Sequence, residues 1–415
     1  MHTGTVKAVR IEETGGPEVM QLVDVELPQP GPGMVTVTQQ AIGLNFIDTY
    51  HRRGLYPIPL PSGLGMEGAG VVTAVGEGAE FAVGDRVAYC SALFGAYAQA
   101  VNLPASRLVR IPDGIDFETA AAALLKGQTT EFLLQRVFPM KAGQTCLFHA
   151  AAGGVGLLFG QWARAMGVTA IGTVSSAAKA ELALAHGYAQ VVNYAEENVA
   201  ERVRELTGGQ GVPVVYDGVG RDTFDASLAS LQPRGMLVSF GNASGKPEPL
   251  DLQTLANMGS LYVTRPTLLT YTASTEDLRM SSAAVFDRLL AGEVQVSIGQ
   301  RYPLAEVARA HTDLECRLTT GSTLLLPCTL PRVPRGIRAC CRASRCDWSH
   351  FRRRTPRACF CAVAMPLTGP ICRAAASSTW QTRGSGSMRP LPRPVNRRGR
   401  SSRTPRARLW AVRAT

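Results

Sequence analysis

The stretch TCLFHAAAGGVGLLFGQWARAM, residues 145–166, decides the fold of this chain. It opens on an apolar run (TCLF), passes through small residues (AAAGGVG) and continues in an amphipathic pattern that carries Leu157, Leu158, Trp162 and Met166. Apolar side chains that recur at three- and four-residue spacing lie on one face of a helix. The stretch therefore predicts a strand, a tight turn and a helix.

The turn has the pattern A-x-G-x-x-G, with Ala151 where a dinucleotide-binding fingerprint has its first glycine. In that fingerprint the second small residue, here Gly153, lets backbone N–H groups approach a pyrophosphate, and the third, Gly156, lets the helix pack closely on the strand. The helix N-terminus adds free N–H groups and a partial positive charge. Small residues also serve plain helix–strand packing, so the motif alone leaves that alternative open.

The next apolar run, residues 168–174, indicates which dinucleotide binds. An NAD site places an Asp or Glu after this strand for the ribose 2′-hydroxyl, but no acid is present there. Ser175, Ser176 and Lys179 follow instead, and hydroxyls with a cation suit a 2′-phosphate. We therefore predict NADPH over NADH as the cofactor, the alternative being that Lys179 merely solvates a helix start.

Strands and helices alternate from residue 145 to about residue 267, which predicts a doubly wound parallel sheet. Ligands bind at the carboxyl ends of the strands in such sheets. The residues that follow the predicted strands there are Tyr194, Gly218, Phe240, Gly241 and Arg265.

The preceding part of the chain is β-rich, with short alternating runs separated by Gly/Pro turns. We predict a first domain at residues 1–125, a nucleotide-binding domain at 126–267 and a return to the first domain at 268–327. Strands are expected at 96–101 and 294–298, among others, and a helix at 281–291.

Charge is unevenly distributed along the 415 residues. The whole chain carries +11 and residues 328–415, with 20 Arg, no Lys and one acid, carry +19, which leaves −8 for residues 1–327. The basic pI is therefore no evidence that the folded body binds nucleic acid. Residues 1–327 contain three scattered cysteines, no apolar leader and no membrane-length apolar run, so we expect a cytoplasmic protein.

The tail at 328–415 is rich in Arg, Pro, Ala and Cys and has no apolar periodicity. Such a segment is not expected to fold on its own. Arg without Lys is typical of a GC-rich message read out of frame, so our hypothesis is a frameshift or a misassigned stop. The alternative is a basic arm that binds nucleic acid.

Seven ordered motifs resemble the NADPH-dependent quinone oxidoreductases, the zeta-crystallin-like, zinc-free branch of the medium-chain dehydrogenases. The resemblance implies a GroES-like β-rich catalytic domain joined to a Rossmann NADPH-binding domain, and it covers residues 1–327. The motifs are GGPEV (15–19), AIGLNFIDTYHRRGLYP (41–57), LPSGLGMEGAGVV (60–72), FHAAAGGVGL (148–157), VVYDGVGRDTF (214–224), VSFGNASG (238–245) and GSLYVTRPTL (259–268).

Zinc is not expected at the site. Zinc-dependent relatives have a Cys ligand near position 45 and a His before the Glu of their G-x-E motif, whereas this chain has Asn45 and Gly65-Met66-Glu67. Amide and thioether side chains are poor Zn²⁺ ligands. We predict no metal, and we interpret Glu67 as a buried structural residue.

The resemblance also implies the roles of individual residues. Asn45 is expected near the nicotinamide, with Tyr50 and Tyr56 lining the acceptor cleft, where their rings can stack on a quinone. The remaining cofactor-binding residues that it implies are Gly153, Gly154, Val155 and Gly156 on the pyrophosphate, Ser175 and Lys179 on the 2′-phosphate, Tyr194 beside the adenosine, Gly218, Phe240, Gly241 and Arg265 around the nicotinamide half, and Arg317 on a phosphate or ribose.

Several of these residues have an equally plain structural interpretation. Asp48 either orients Asn45 or caps a helix. Phe240 is either a wall of the cofactor site or a core aromatic, Arg265 is either a ligand or half of an interface ion pair, and His149 is more readily a core histidine than a proton donor.

Two departures from the family pattern affect the site. Thr130-Glu131-Phe132 stands where close relatives have a tyrosine that faces the cofactor, and Gly218 replaces a more usual serine. Residues 128–132 therefore raise the possibility of a different acceptor.

The leading prediction is a zinc-independent NADPH:quinone oxidoreductase, with a reductase of activated alkenes (2-alkenals) as the alternative. An RNA-binding or crystallin-like structural protein is the alternative from another class. The resemblance implies a homodimer formed through edge strands around residues 261–263, whose free edge is otherwise a liability.

Overall fold

A computed structural model describes residues 4–90 and 94–327. The tail discussed above lies outside the described residues. Within them the strands are β1 (Gly4–Ile11), β2 (Gln21–Leu27), β3 (Met34–Leu44), β4 (Ser62–Gly63), β5 (Glu67–Val75), β6 (Arg86–Cys90), β7 (Ala100–Pro104), β8 (Val109–Arg110), β9 (Thr145–Phe148), β10 (Thr169–Val174), β11 (Gln190–Asn193), β12 (Val212–Asp217), β13 (Leu231–Ser239), β14 (Tyr262–Thr264), β15 (Ile298–Pro303) and β16 (Ser322–Leu326).

The α-helices of the same residues connect and cover these strands. They are α1 (Phe46–Arg52), α2 (Phe117–Phe132), α3 (Gly154–Ala165), α4 (Ala177–Ala185), α5 (Val199–Leu206), α6 (Phe224–Ala229), α7 (Leu252–Asn257), α8 (Leu268–Tyr271), α9 (Thr275–Leu290) and α10 (Val307–Glu315). None of these helices is long and apolar enough to cross a membrane.

A six-stranded parallel sheet forms around residues 145–166, in the order β11-β10-β9-β12-β13-β14. Its strands are apolar on both faces because helices cover both sides. Along β9, Cys146 and Phe148 enter one core with Trp162 of α3, while Leu147 enters the other core. The strand order is that of a doubly wound nucleotide-binding fold, which confirms the predicted fold class.

The turn between β9 and α3 is as tight as the fingerprint predicts. Ala150 has a φ of +60°, and Gly153 is the extended N-cap of α3. A Cβ at Gly156 would lie 2.5 Å from the carbonyl oxygen of Ala151. A larger residue at 156 would therefore displace the helix from the turn.

Two further sheets build the β-rich part. A seven-stranded sheet has the order β15-β16-β3-β5-β6-β8, with β7 also paired to β3, and a three-stranded sheet has the order β2-β1-β4. The C-terminal strand β16 pairs antiparallel with β3, so the end of the described chain returns to the first sheet. Helix α2 joins the two parts, because Ala121 and Leu124 pack in one core and Ala123 and Phe132 pack in the core beside β9.

Two expected strands have other bounds in the structure. Residues 96–99 bond to β1 and to residues 64 and 65, so the strand expected at 96–101 begins only at Ala100, as β7. At 294–298 the alternation V-Q-V-S-I suggested a strand, but the side chain of Gln161 bonds both the N–H of Gln295 (3.0 Å) and its carbonyl (2.9 Å). The Gln161 amide thus bonds the backbone groups that a neighbouring strand would otherwise have paired. Strand β15 begins only at Ile298, the last residue of the expected strand. Helix α9 begins six residues before the predicted start.

Candidate active site

A cavity of about 480 Å³ opens at the carboxyl ends of the parallel strands. It lies where the strand order turns from β9 to β12, the place where doubly wound sheets bind ligands. Five of the predicted cofactor-binding residues line it together: Gly153, Ser175, Lys179, Tyr194 and Arg317.

The start of α3 borders this cavity. Gly153 lines it, Gly154 and Val155 form the half-buried first turn, and Gly156 is buried. The first N–H groups of a helix have no partner within the helix, so this end can bind a pyrophosphate. The side chain of Lys126 passes over the same turn, since its Cδ and Cε lie 2.9 Å from where a Cβ of Gly154 would be.

Two cations meet at the far end of the cavity. Nζ of Lys179 donates to the carbonyl oxygen of Arg317 at 3.1 Å, and the Arg317 guanidinium lies 3.7 Å from the Asp222 carboxylate. Partial burial and then the charge of Arg317 lower the pKa of Lys179. Because two positive charges repel one another here, an anion placed between them would be stabilised. Ser175 and the exposed ring of Tyr194 border the same space.

Asn45 lies in a buried polar cluster at the start of α1. Its Nδ2 donates to Oε2 of Glu67 at 2.8 Å. The same carboxylate accepts from the N–H of Leu125 at 2.7 Å and from Nζ of Lys126 at 3.3 Å. Glu67 is fully buried and Lys126 is nearly so, which confirms the interpretation of Glu67 as a buried, hydrogen-bonded residue.

These side chains do not fit a catalytic zinc ion. The amide of Asn45 and the ammonium of Lys126 both point at the Glu67 carboxylate, so a second cation there would meet a fixed positive charge. Neither an amide nor an ammonium is a suitable Zn²⁺ ligand. Elsewhere in the described part of the chain, no group of three or more His, Cys, Asp or Glu side chains is arranged to hold a metal.

Two tyrosines of the β-rich part form hydrogen bonds with the nucleotide-binding part. The hydroxyl oxygen of Tyr50 accepts from the backbone N–H of Asn242 at 2.8 Å, and that of Tyr56 accepts from Nη2 of Arg265 at 2.8 Å. The two rings pack edge to face with centroids 5.1 Å apart. Burial raises the pKa of the Tyr50 phenol, so this hydroxyl keeps its proton.

Arg265 is held by carbonyl groups at the end of β13. Its Nη1 donates to the carbonyl oxygens of Ser239 (3.1 Å) and Gly241 (2.8 Å) and to the Ser239 hydroxyl (2.9 Å). No salt bridge links it to any carboxylate among the described residues, so the interface ion pair is wrong. The guanidinium therefore lies beside Gly241.

Phe240 packs partly against the core and does not line the cavity described above. Its ring is half-buried and packs 5.8 Å from that of Phe148 in the core. A Cβ at Gly218 would lie 2.9 Å from Cζ of Phe240, so a serine at 218 would displace the ring. The glycine that replaces the family's serine therefore has a packing reason.

His149 is a bonded core residue, although its ring also borders the cavity. Nδ1 lies 3.0 Å from the Thr173 hydroxyl, and Nε2 lies 3.0 Å from the Ser227 hydroxyl, which donates to Asp217 at 2.8 Å. Burial lowers the pKa of His149, against the opposing charge of Asp217. The imidazole is therefore neutral, and its bonds secure the sheet beside the cavity.

Residues 128–132, where the family has its tyrosine, bond inside the protein. Gln128 donates to the Ser282 hydroxyl at 2.7 Å, Glu131 accepts from Ser281, and Phe132 stacks on Tyr271 with centroids 4.8 Å apart. None of them lines the cavity. Their side chains tie α2 to α8 and α9.

Sequence reasoning missed two site residues and left one undecided. Asp48 accepts from the backbone N–H of Asn45 at 2.9 Å, so it caps α1 rather than touching the Asn45 amide. Lys126 could have been identified from the sequence, because it is the lone cation in the largely apolar helix α2. Asn242 follows Gly241 directly; turned so that both ends of its amide are satisfied, it donates to Gly241 and accepts from Arg265.

Comparisons with known proteins agree with this architecture. Residues 31–113 match the family model "Alcohol dehydrogenase GroES-like domain", and residues 154–283 match "Zinc-binding dehydrogenase". The chain is 55% identical over 323 residues to a quinone oxidoreductase of Pseudomonas aeruginosa, which covers 77% of this chain and 99% of that protein.

Two further relatives are informative. The crystal structure of Escherichia coli quinone oxidoreductase complexed with NADPH matches with a TM-score of 0.76 and 48% identity, covering 77% of this chain and all of that one. A 2-haloacrylate reductase of Burkholderia is 43% identical, covering 78% of this chain and 99% of that protein. The chain belongs to the quinone oxidoreductase family of the medium-chain dehydrogenase/reductase superfamily.

Proposed function

We propose that this protein is an NADPH:quinone oxidoreductase that needs no metal. The observation that carries the proposal is a cavity at the carboxyl ends of the parallel strands that Lys179 and Arg317 line together with Gly153. NADPH would bind there, with its 2′-phosphate between the cations and its pyrophosphate at the start of α3. Its nicotinamide would lie between Asn45 and residues 240–241.

The two phenols give the site its chemistry toward the acceptor. Bound NADPH supplies a hydride, and the acceptor also needs a proton or a hydrogen bond at its oxygen. Tyr50 accepts a hydrogen bond from the backbone N–H of Asn242 and donates none to another described residue. Its O–H is thus free to donate to a carbonyl oxygen of a flat acceptor, and the rings of Tyr50 and Tyr56 offer faces for stacking.

A second candidate is the reduction of an activated alkene. The likeness to a 2-haloacrylate reductase supports it, because a carboxylate or carbonyl conjugated to an alkene would bind the same Tyr50 O–H donor. The RNA-binding alternative has less support, since residues 1–327 carry a net negative charge and a phosphate backbone needs a positive surface.

The deciding experiment measures oxidation of NADPH, and separately of NADH, by the full chain with 1,4-benzoquinone, a larger quinone and a 2-alkenal. We expect turnover with quinones and a preference for NADPH. If the protein binds NADPH but reduces only the alkenal, the acceptor is an activated alkene and not a quinone. Absence of NADPH binding would refute the proposal.

We further propose a cytoplasmic homodimer. The parallel sheet ends at β14, where Tyr262 and Val263 are 58% and 36% exposed, and an exposed apolar edge strand favours pairing with a second copy. Val263→Lys should shift a dimer to a monomer in sedimentation velocity, and cell fractionation tests the compartment. We also retain the division into 1–125, 126–267 and 268–327, which limited proteolysis can test.

A further inference from the structure

A chain of buried hydrogen bonds runs from Arg52, at the end of α1, through His311 of α10 and back to Asn45, the residue that precedes α1. Nη1 of Arg52 lies 3.0 Å from Nδ1 of His311, and Nε2 of His311 lies 3.0 Å from the Tyr97 hydroxyl. That hydroxyl donates to Oδ2 of Asp48 at 2.8 Å, and the same oxygen accepts from the N–H of Asn45 at 2.9 Å. These five residues are each at most 5% exposed.

The direction of every bond in this chain is determined. A guanidinium can only donate, so Nδ1 of His311 must accept from Arg52. Burial and the adjacent Arg52 charge lower the pKa of His311 to about 3, so the ring is neutral and its single N–H is on Nε2. His311 therefore donates to Tyr97, and Tyr97 uses its own proton to donate to Asp48.

The Arg52 end of this hydrogen-bond chain is held by an ion pair. Arg52 donates from Nη2 to both carboxylate oxygens of Glu315, at 2.8 and 2.7 Å. Such bidentate pairs have a fixed geometry. The start of α1 is thus oriented by a helix some 260 residues later in the chain, through Tyr97 of an intervening loop.

We propose that Tyr97 and His311 are positioning residues for the cofactor site: their one-way hydrogen-bond chain holds Asp48 against the N–H of Asn45 and so fixes where α1 presents Asn45 and Tyr50. The inference rests on the proposed function, since it assigns Asn45 to the nicotinamide and Tyr50 to the acceptor. Misplacement of reacting groups by about 1 Å can cost as much as 100-fold in rate.

The pKa of Asp48 offers a separate measure of this positioning role. Burial, the largest effect, and the nearby Glu67 carboxylate raise the pKa of Asp48, while the bonds from Asn45 and Tyr97 and the Lys126 charge lower it, with a result of about 7. Its other oxygen, Oδ1, has no hydrogen-bond partner among the described residues. Removing the Tyr97 hydroxyl withdraws a donor from the carboxylate, so the pKa of Asp48 should rise further.

The test compares Tyr97→Phe with Tyr302→Phe in the full chain. The control removes a matched bond, since the Tyr302 hydroxyl donates to Asp313 of α10 at 2.7 Å away from Asn45. For Tyr97→Phe we expect kcat for quinone reduction to fall about tenfold, the KM for NADPH to stay within about twofold, and the acid limb of the kcat–pH profile to move to higher pH. Tyr302→Phe should change none of these.

His311 supplies a second pair of variants. His311→Gln keeps one acceptor and one donor on the same side chain and should retain most of kcat, whereas His311→Leu should behave like Tyr97→Phe. Equal kcat and pH profiles for wild type and Tyr97→Phe, or equal losses in the Gln and Leu variants, would overturn the proposal.

Failure of the proposed function would be recognised separately. It would leave the wild type itself inactive toward quinones, and the fluorescence of bound NADPH then reports on the nicotinamide environment. A change of that emission in Tyr97→Phe but not in Tyr302→Phe supports the positioning role, and identical emission in all three proteins refutes it.

Discussion

The hydroxyl of Tyr56 accepts a hydrogen bond from Nη2 of Arg265 at 2.8 Å, across 209 residues of sequence. Tyr56 follows α1 in the β-rich part, and Arg265 follows β14 of the parallel sheet. The bond therefore joins the two parts of the molecule. Both residues are proposed site residues, so under the proposed function this contact would link cofactor binding to the acceptor pocket.

Replacement of Arg265 should weaken NADPH binding. Arg265→Ala removes a guanidinium that bonds Ser239, Gly241 and Tyr56, and hydrogen bonds of charged groups are worth about 1.5–3 kcal/mol. We expect the KM for NADPH to rise at least about tenfold in steady-state kinetics. Tyr56→Phe keeps the guanidinium and should raise it by less. An unchanged KM in Arg265→Ala would remove Arg265 from the site.

Replacement of Lys179 should reduce the preference for NADPH over NADH. Lys179 and Arg317 meet at the end of the cavity, and only NADPH has a 2′-phosphate for them to bind. Lys179→Gln should lower kcat/KM for NADPH about tenfold or more and leave that for NADH nearly unchanged. Equal losses with both cofactors would show that Lys179 acts through the fold, for example through its bond to the Arg317 carbonyl.

The sequence predicted the parts of the site that follow from local pattern. The run of small residues before α3 gave the turn and its ligand, because backbone geometry at Gly153 and Gly156 depends on neighbours in the chain. The Asn45–Glu67–Lys126 cluster was not predictable in the same way, since β3, β5 and α2 come together only in the folded protein. Likewise no local pattern shows that Gln161 would bond the backbone of Gln295 and so prevent most of the expected strand at 294–298.

The buried pair of Glu67 and Lys126 should contribute strongly to stability. Glu67→Gln leaves the Lys126 ammonium buried without a counterion, and breaking a buried pair in this way costs about 3–5 kcal/mol. We expect a clear fall in the urea midpoint, measured by circular dichroism. The double variant Glu67→Gln/Lys126→Met should recover much of the loss.

An exposed pair serves as the control for this measurement. Arg309 and Glu306 are bonded at 3.1 Å but both are largely in water, where such pairs contribute little. Glu306→Gln should therefore leave the urea midpoint unchanged. A Glu67→Gln variant that is as stable as Glu306→Gln would mean that Lys126 is not a buried cation.

His311 should make stability depend on pH below neutrality. Its pKa is lowered from 6.5 to about 3 in the folded protein, first by burial and then by the Arg52 charge, so the unfolded chain binds a proton that the native state does not. The contribution of neutral His311 to the free energy of unfolding is fully present above pH 6.5 and is lost as the pH falls toward 3.

The difference between wild type and His311→Gln isolates this effect, because Asp48 and the other groups titrate in both proteins. Relative to the variant, the wild type should lose about 1.4 kcal/mol of unfolding free energy for each pH unit below 6.5. Urea unfolding at pH 7.5, 5.5 and 4.5 measures it. A difference that does not vary with pH would mean that His311 binds its proton equally in both states, and Nδ1 could then not be the acceptor for Arg52.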